Sequence, residues 1–382
     1  MKSIVYWSPF LTKIAKIKSV LNSAIILKKK KKELDIYIIN CIGEWCDYEK
    51  KIKSNNLIII NLFNFNLHKY LPKDSYLKSR FSLIVISVII FFPLIFFLIK
   101  KKPNFFISHL NTLLIIFLSN FFKTKFIIRI SGYPKLHFLR RLLWKSFSNK
   151  IYCIISPTEM TKQMLIKSKI FEKKKIYKVE DPVFSLKKKY ILKKNQIKLN
   201  KNSFNNILAI GRLTEQKNFS FLIKCFRIIE NKYPNRFILN ILGEGEERKN
   251  LSQLINNLHL DDKVNLIGYK SNVNYYLKKS FCFILSSLWE DPGFVLIEAA
   301  INKTFILSSN CPNGPKDFLA NNKGGILFAS NNMDDFTKKF DFMLSLNNKQ
   351  KKKIINYSFK KAKAYTLEEH YCKISRILFN DL

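Results

Sequence analysis

Residues 206–218 read NILAIGRLTEQKN: an apolar run, then Gly211, then two cations, Arg212 and Lys217, just ahead of a new apolar series from Phe219. Asn206–Ile210 reads as a buried strand and Phe219–Tyr233 as a helix. Glycine between them lets the backbone turn tightly. In α/β folds ligands bind at the carboxyl edge of the strands, so Arg212 and Lys217 stand where an anion would be met, near a helix N-terminus. Two such cations suit a diphosphate; the alternative is a surface turn with ordinary charges. Further along, Phe237–Leu242, Val264–Ile267, Phe281–Ser286 and Thr304–Ser308 read as strands, with helices at Asn250–Leu258 and Phe294–Asn302. Strands alternating with helices imply βαβ units and a parallel sheet.

Two more segments follow strands in this half. Gly243-Glu244-Gly245-Glu246 has a G-x-G start but no third glycine at the dinucleotide spacing, and its glutamates would repel phosphate, so a tight strand-to-helix turn is expected. Glu290-Asp291-Pro292-Gly293-Phe294-Val295-Leu296-Ile297-Glu298 carries two glutamates in one loop-to-helix unit. Glu298 interrupts an apolar helix, which predicts a buried carboxylate that needs a partner. Ligand hydroxyls would serve, as would backbone amides in a purely structural role. Gly293 and Phe294 fall at the first turn of the helix, where free N–H groups favour anions.

The first half reads the same way. Ser3–Trp7, Asp35–Cys41, Asn56–Asn61, Phe105–His109, Lys125–Ile130 and Ile151–Ile155 are strand-like, and Lys16–Lys28 is an amphipathic helix. Residues 81–99 read FSLIVISVIIFFPLIFFLI. A spanning helix needs about 20 apolar residues, so this run is borderline. Lys78 and Arg80 precede it and Lys100, Lys101 and Lys102 follow it, whereas a crossing has its cations mainly on one side. An interfacial or partly inserted segment is the favoured reading; a buried core helix and a true span are the alternatives.

The chain has 382 residues, 47% hydrophobic, with 67 Lys and Arg against 27 Asp and Glu. That length and apolar content exclude a disordered chain and favour two domains. The net charge of +40 is concentrated, since residues 1–200 hold 40 basic and 10 acidic residues and residues 101–150 hold ten basic and no acidic ones. An anionic partner is implied: phosphate, acidic lipid or nucleic acid. Lysine runs are scattered and no nucleic-acid motif is found. Seven cysteines form no C-x-x-C pair, which predicts buried free thiols in a reducing compartment rather than a disulfide frame or metal site. No long apolar run follows the start, so no signal peptide is expected.

Gly211-Arg212-Leu213…Lys217 and Glu290…Glu298 together resemble the signatures of the retaining GT-B glycosyltransferases of the glycosyltransferase 4-like group (group 1 glycosyl transferases): a G-R-L-x-x-x-K motif and an E-x7-E motif, in that order. The resemblance covers residues 204–330 well and both halves more loosely. It implies two Rossmann-like α/β domains facing each other across a cleft. Residues 1–183 would be an acceptor-binding, membrane-associating domain, 184–204 a connector, 205–360 the nucleotide-sugar domain, and 361–382 a C-terminal helix packing back on the first domain. The implied donor is a nucleotide sugar, with UDP the expected nucleotide, and no metal or cofactor is needed. Arg212 and Lys217 would hold the diphosphate, Glu290 the transferred sugar and Glu298 the ribose. Gly211, Gly293, Phe294 and Tyr269 would line the donor site, and the loop Asn310–Pro315 would close over it.

The first domain departs from the family pattern. Ser8-Pro9-Phe10-Leu11-Thr12 stands where many members have glycines, and the strand that many members follow with a histidine runs into Ser131-Gly132-Tyr133-Pro134. His109 and His137 are the candidates left for the acceptor side; a structural role is open for both. His68, His259 and His370 have no motif around them and are expected at the surface. The resulting expectation is a cytoplasmic transferase attached peripherally to the inner face of the cell membrane, acting on a lipid-linked glycan in polysaccharide or lipopolysaccharide synthesis. The alternatives are a basic nucleic-acid binder, a membrane-spanning enzyme and a non-catalytic partner subunit.

Overall fold

The structure is a computed structural model that describes residues 2–11, 15–72, 76–110, 112–132, 137–185, 205–290 and 293–379. Thr12, Tyr133, Pro134, Asp291, Pro292 and most of the expected connector lie outside these residues. The chain forms two compact units, residues 1–185 with 365–382, and residues 186–364.

The first unit holds a seven-stranded parallel sheet of β1 (Ser3–Trp7), β2 (Asp35–Asn40), β3 (Ile58–Asn61), β4 (Phe105–His109), β5 (Lys125–Arg129), β6 (Cys153–Ser156) and β7 (Ile176–Lys178), in the order β3-β2-β1-β4-β5-β6-β7. The second holds a six-stranded parallel sheet of β8 (Asn205–Ile210), β9 (Phe237–Leu242), β10 (Val264–Gly268), β11 (Cys282–Leu285), β12 (Phe305–Ser309) and β13 (Ile326–Phe328), in the order β10-β9-β8-β11-β12-β13. Helices cover both faces of a parallel sheet, so its strands are apolar throughout rather than alternating. All five residues of β4 and of β12 are buried accordingly. Five of the seven cysteines are buried and free; Cys46 and Cys372 are exposed and free.

The apolar run at 81–99 is two helices, Tyr76–Ile89 and Phe91–Lys101. They bend by 50° at the break. Pro93 lies in the first turn of the second helix, where a missing N–H costs nothing, but its ring crowds the carbonyl four residues back, Ile89, and the first helix ends there. Ile86, Ile90, Leu94 and Leu98 enter the core, while Phe81, Ile84, Val88, Phe92, Phe96 and Ile99 are exposed. Among the described residues no single helix is long and apolar enough to cross a membrane; the bent pair meets that test by length and composition.

Helix Leu367–Phe379 belongs to the first unit although it follows the second in sequence. It packs on helix Ala15–Lys30, with Ile374, Ile377 and Leu378 joining the cluster of Ile17, Val20 and Leu21. His370 on this helix is buried, contrary to the surface position expected of a histidine without a motif. Its ring lies 2.8 Å from Ser23 Oγ at Nε2 and 2.8 Å from the Glu180 carbonyl at Nδ1. Tyr6 Oη lies 2.8 Å from Ser23 Oγ. A neutral ring with its proton on Nδ1 satisfies all of these groups, and a lone histidine is buried because three chain segments supply its partners.

Burial drives the His370 pKa down to about 4, against smaller upward pulls from the Glu180 carbonyl and the Asp181 and Glu180 charges and a downward one from Arg129. The folded value is below the unfolded one, so the stability it confers is complete above pH ~6.5 and is lost as pH falls towards 4, about 3 kcal/mol in all. Urea unfolding at a series of pH values should show that slope, and His370→Gln should remove it.

Candidate active site

Each sheet reverses its strand order once, between β1 and β4 in the first unit and between β8 and β11 in the second. Such a reversal opens a crevice at the carboxyl ends of the strands, where α/β folds bind ligands. In the second unit the segments leaving that point are 211–218 after β8 and 286–290 after β11. They carry the expected cations and the expected loop glutamate.

The Gly243–Glu247 turn supports the first of these segments. Gly211 N donates to the Leu242 carbonyl at 3.0 Å, Leu213 N to that of Glu244 at 3.0 Å, and Glu247 N to that of Leu213 at 2.9 Å. Gly243 has φ +148°, and a Cβ there would lie 1.7 Å from the Gly211 carbonyl oxygen. Glycine is required for this backbone-on-backbone approach, and Glu244 turns to Arg248 at 3.0 Å. The segment is the structural turn the sequence suggests.

Lys217 folds back over Gly211, where a Cβ would lie 3.0 Å from the lysine stem. Its Nζ is hydrogen-bonded to Glu290 Oε1, and Ser287 Oγ donates to the same oxygen at 2.6 Å. Ser286 Oγ donates to the Lys217 carbonyl at 2.7 Å, Gln216 Nε2 to that of Trp289 at 2.8 Å, and Glu290 N to that of Pro312 at 3.1 Å. These bonds lace the loops 211–218, 286–290 and 310–315 together. Glu290 is buried, whereas Arg212 is exposed. Among the described residues the Arg212 side chain makes no hydrogen bond or ion pair.

Gly293 sits at φ +83° immediately before helix Phe294–Ile301, a left-handed conformation that a side chain would strain. Glu298 is half-buried, not the fully buried carboxylate expected from the apolar run. It shares a half-buried stripe with Phe294, Val295 and Ile301, while Leu296, Ile297, Ala299 and Ala300 take the core side. A helix of 3.6 residues per turn cannot bury every face, and the glutamate occupies the outer one. Tyr269 follows β10, two strands from β8, with its ring exposed.

In the first unit Ser8 follows β1 and His109 ends β4, so both flank the reversal point. His109 is buried and pairs in register with Arg129 of β5. With Phe10, Ile17, Arg129 and Ser131 they line a hollow of about 10 Å³, room for one water. His137 is exposed, stands at the N-cap of helix Phe138–Phe147 without a side-chain cap bond, and does not line the hollow.

Sequence reading missed Ser287, which fixes the Glu290 carboxylate, and gave no role of its own to Thr214 or to Asn313 of the loop expected to close over the donor. Thr214 Oγ1 and Asn313 Oδ1 are buried on the laced loops without a hydrogen-bond partner among the described residues. The Ser286-Ser287 pair ending the apolar β11 run was the available signal. Burial pushes the Cys311 thiol up to about 12, so it is protonated at neutral pH and is no nucleophile. Among the described residues no group of three or more His, Cys, Asp or Glu side chains could hold a metal.

Residues 191–361 match the family model for glycosyl transferases group 1. The matched residues take up most of the second unit, residues 186–364. An uncharacterized glycosyltransferase of Methanocaldococcus jannaschii is 33% identical over 238 residues, 57% of this chain and 58% of its own length. The UDP-Gal:alpha-D-GlcNAc-diphosphoundecaprenol alpha-1,3-galactosyltransferase of Escherichia coli is 31% identical over 147 residues, 38% of each chain. The chain thus spans about 58% or less of the length of these curated relatives. The crystal structure of a glycosyltransferase from Rickettsia africae matches with a TM-score of 0.76 at 17% identity, over 100% of this chain and 99% of that one. The shared fold is GT-B, and the laced loops lie inside the residues that match the family model.

Proposed function

We propose that the protein is a retaining glycosyltransferase that moves a sugar from a UDP-sugar to a lipid-linked glycan in cell-surface polysaccharide or lipopolysaccharide synthesis. The observation that carries this reading is the lacing of the 211–218 and 286–290 loops at the strand-order reversal of the group 1 domain. Arg212 meets one phosphate of the donor. Lys217 exchanges its bond to Glu290 for the other, and the released carboxylate accepts from hydroxyls of the transferred sugar. Glu298, on the outer stripe of its helix, accepts from the ribose. Gly211 lets the backbone approach the diphosphate, the amides at Gly293 and Phe294 face the sugar, and Tyr269 lies by the base. Thr214 and Asn313, otherwise left with costly unsatisfied atoms, gain a ligand partner.

In the reaction the bond from the sugar's anomeric carbon to the diphosphate oxygen breaks, and the acceptor oxygen bonds the same face of that carbon. The leaving phosphate takes the acceptor's proton. The two cations stabilise the charge that builds on the leaving group. His109 or His137 stands on the acceptor side. The diphosphoundecaprenol-linked substrate named for the Escherichia coli relative supports a lipid-linked acceptor. The basic first half supports peripheral docking on an anionic membrane, at the cytoplasmic face.

Thermal unfolding with a panel of nucleoside diphosphates and nucleotide sugars tests this reading. A ligand at 100 times its Kd adds about 2.7 kcal/mol to stability. A shift with uridine nucleotides, lost in Arg212→Ala and Glu298→Ala, is expected; a folded protein that responds to no nucleotide overturns the proposal.

A further inference from the structure

We propose that Ser287 is a positioning residue for the transfer step. It holds Glu290 by one carboxylate oxygen, Oε1, when Lys217 leaves for the donor phosphate, so that the other oxygen, Oε2, meets the sugar hydroxyl. This inference rests on the donor reading above. The two oxygens of Glu290 are unalike. Oε1 takes both of the donors that reach the carboxylate, Lys217 Nζ and Ser287 Oγ at 2.6 Å. Oε2 accepts no hydrogen bond among the described residues, yet it is not one of the sealed polar atoms that lack a partner. It is therefore reachable from solvent, on a side chain that is otherwise 6% exposed. An ionised carboxylate only accepts, and an open oxygen on a buried one is a place for a ligand hydroxyl.

Ser287 is itself held. It is fully buried, and Ser309 Oγ, at the end of β12, donates to its carbonyl at 2.6 Å. Its neighbour Ser286 donates to the Lys217 carbonyl at 2.7 Å. One dipeptide leaving β11 thus fixes the backbone of the lysine and the carboxylate of the glutamate. The two holds permit different things. Ser286 grips main chain, which leaves the four-carbon lysine stem free to swing. Ser287 grips the carboxylate, at the length of a charge-assisted O–H···O⁻ bond. The last torsion of a glutamate is broad and roughly two-fold. Without the serine, departure of Lys217 would free the carboxylate to turn and exchange its two oxygens. The serine proton stays behind, because a neutral hydroxyl on a buried strand end does not follow the lysine to a phosphate. The rival is a structural role, joining loop to strand, which predicts that UDP binding and turnover fall together.

The test measures release of UDP from UDP-glucose, UDP-galactose and their N-acetylated amino-sugar counterparts by the full chain, with UDP affinity taken by calorimetry on the same proteins. Whichever sugar nucleotide the unaltered protein turns over is the probe. Ser287→Ala should lower kcat about tenfold or more, the cost of a misplaced group, while UDP affinity stays within about threefold because UDP carries no sugar to reach Oε2. In a Glu290→Gln background the same substitution should cost less than about threefold, since a residue that acts through another adds little once that one is disabled. Ser309→Ala, which removes a bond to a carbonyl only, should cost less than Ser287→Ala. An unimpaired kcat in Ser287→Ala overturns the role, as does a further loss of about tenfold in the Glu290→Gln background. A fall in UDP affinity that matches the fall in kcat, or an equal loss in Ser309→Ala, assigns Ser287 to structure and overturns it as well. An unaltered protein that turns over none of these donors sinks the transferase reading and this role with it. Turnover of a UDP-sugar with Ser287→Ala unimpaired sinks the role alone.

Discussion

An Arg212→Ala protein is expected to keep its melting temperature and to lose about 10²–10³-fold in turnover, the cost of removing one preorganised group that stabilises developing charge. Both halves of this expectation come from geometry. Arg212 is exposed, and among the described residues its side chain bonds nothing, so its removal leaves no orphan behind. The steady-state comparison is kcat and KM for sugar transfer, or for donor hydrolysis, against the unaltered protein. A variant with unchanged kcat would remove Arg212 from the mechanism. Lys217→Ala is a poorer probe because it strips the cation from a buried Glu290 and mixes catalysis with stability. The double variant Lys217→Ala with Glu290→Gln discharges the orphan, and comparing it with Glu290→Gln alone separates the lysine's part from that of the sugar-binding carboxylate.

Asp181→Ala should destabilise the first unit by about 3–5 kcal/mol, the cost of leaving one member of a buried ion pair alone. Arg129 Nε donates to Asp181 Oδ1 at 2.9 Å and Nη2 pairs with Oδ2, both side chains being more than nine-tenths buried. Removing the aspartate leaves a guanidinium charge inside. Trp7, Trp45 and Trp144 lie in the first unit against Trp289 in the second, so fluorescence-monitored urea unfolding reports chiefly on this unit. Replacing both partners by apolar residues of similar volume, Arg129→Met with Asp181→Leu, should recover most of the loss. If Asp181→Ala unfolds at the original midpoint, the pair is not what holds the end of β5 to the 180–185 segment.

The strands were the most legible part of the fold, because a parallel sheet writes each strand as an uninterrupted apolar run. Phe105–His109 and Phe237–Leu242 fall where the sequence puts them. Ile176–Lys178 and Ile326–Phe328 went unread, since three residues make no pattern. The run at 81–99 shows why composition is not orientation. It is apolar on every side, so no periodicity distinguishes the stripe that enters the core from the stripe left outside, and only packing against the sheet divides them. The loop glutamate and the two cations were visible as spacing along the chain. Their contact was not, because Lys217 and Glu290 are 73 residues apart and meet only through the strand order β8-β11. His370 failed for the same reason, with Ser23 347 residues away.

The return of helix Leu367–Phe379 to the first unit sets an order of assembly. Domains usually fold as they leave the ribosome, N-terminal first. Here the earlier sheet is synthesised first but waits for the last helix to cover Ile17, Val20 and Leu21 and to bring His370 to Ser23. The later unit has all of its own residues in hand by Ala364. The chain is therefore a clasp in which helices Ala15–Lys30 and Leu367–Phe379 are needed at the same place, and an apolar strip stays open to chaperones or membranes for as long as translation of the intervening unit takes.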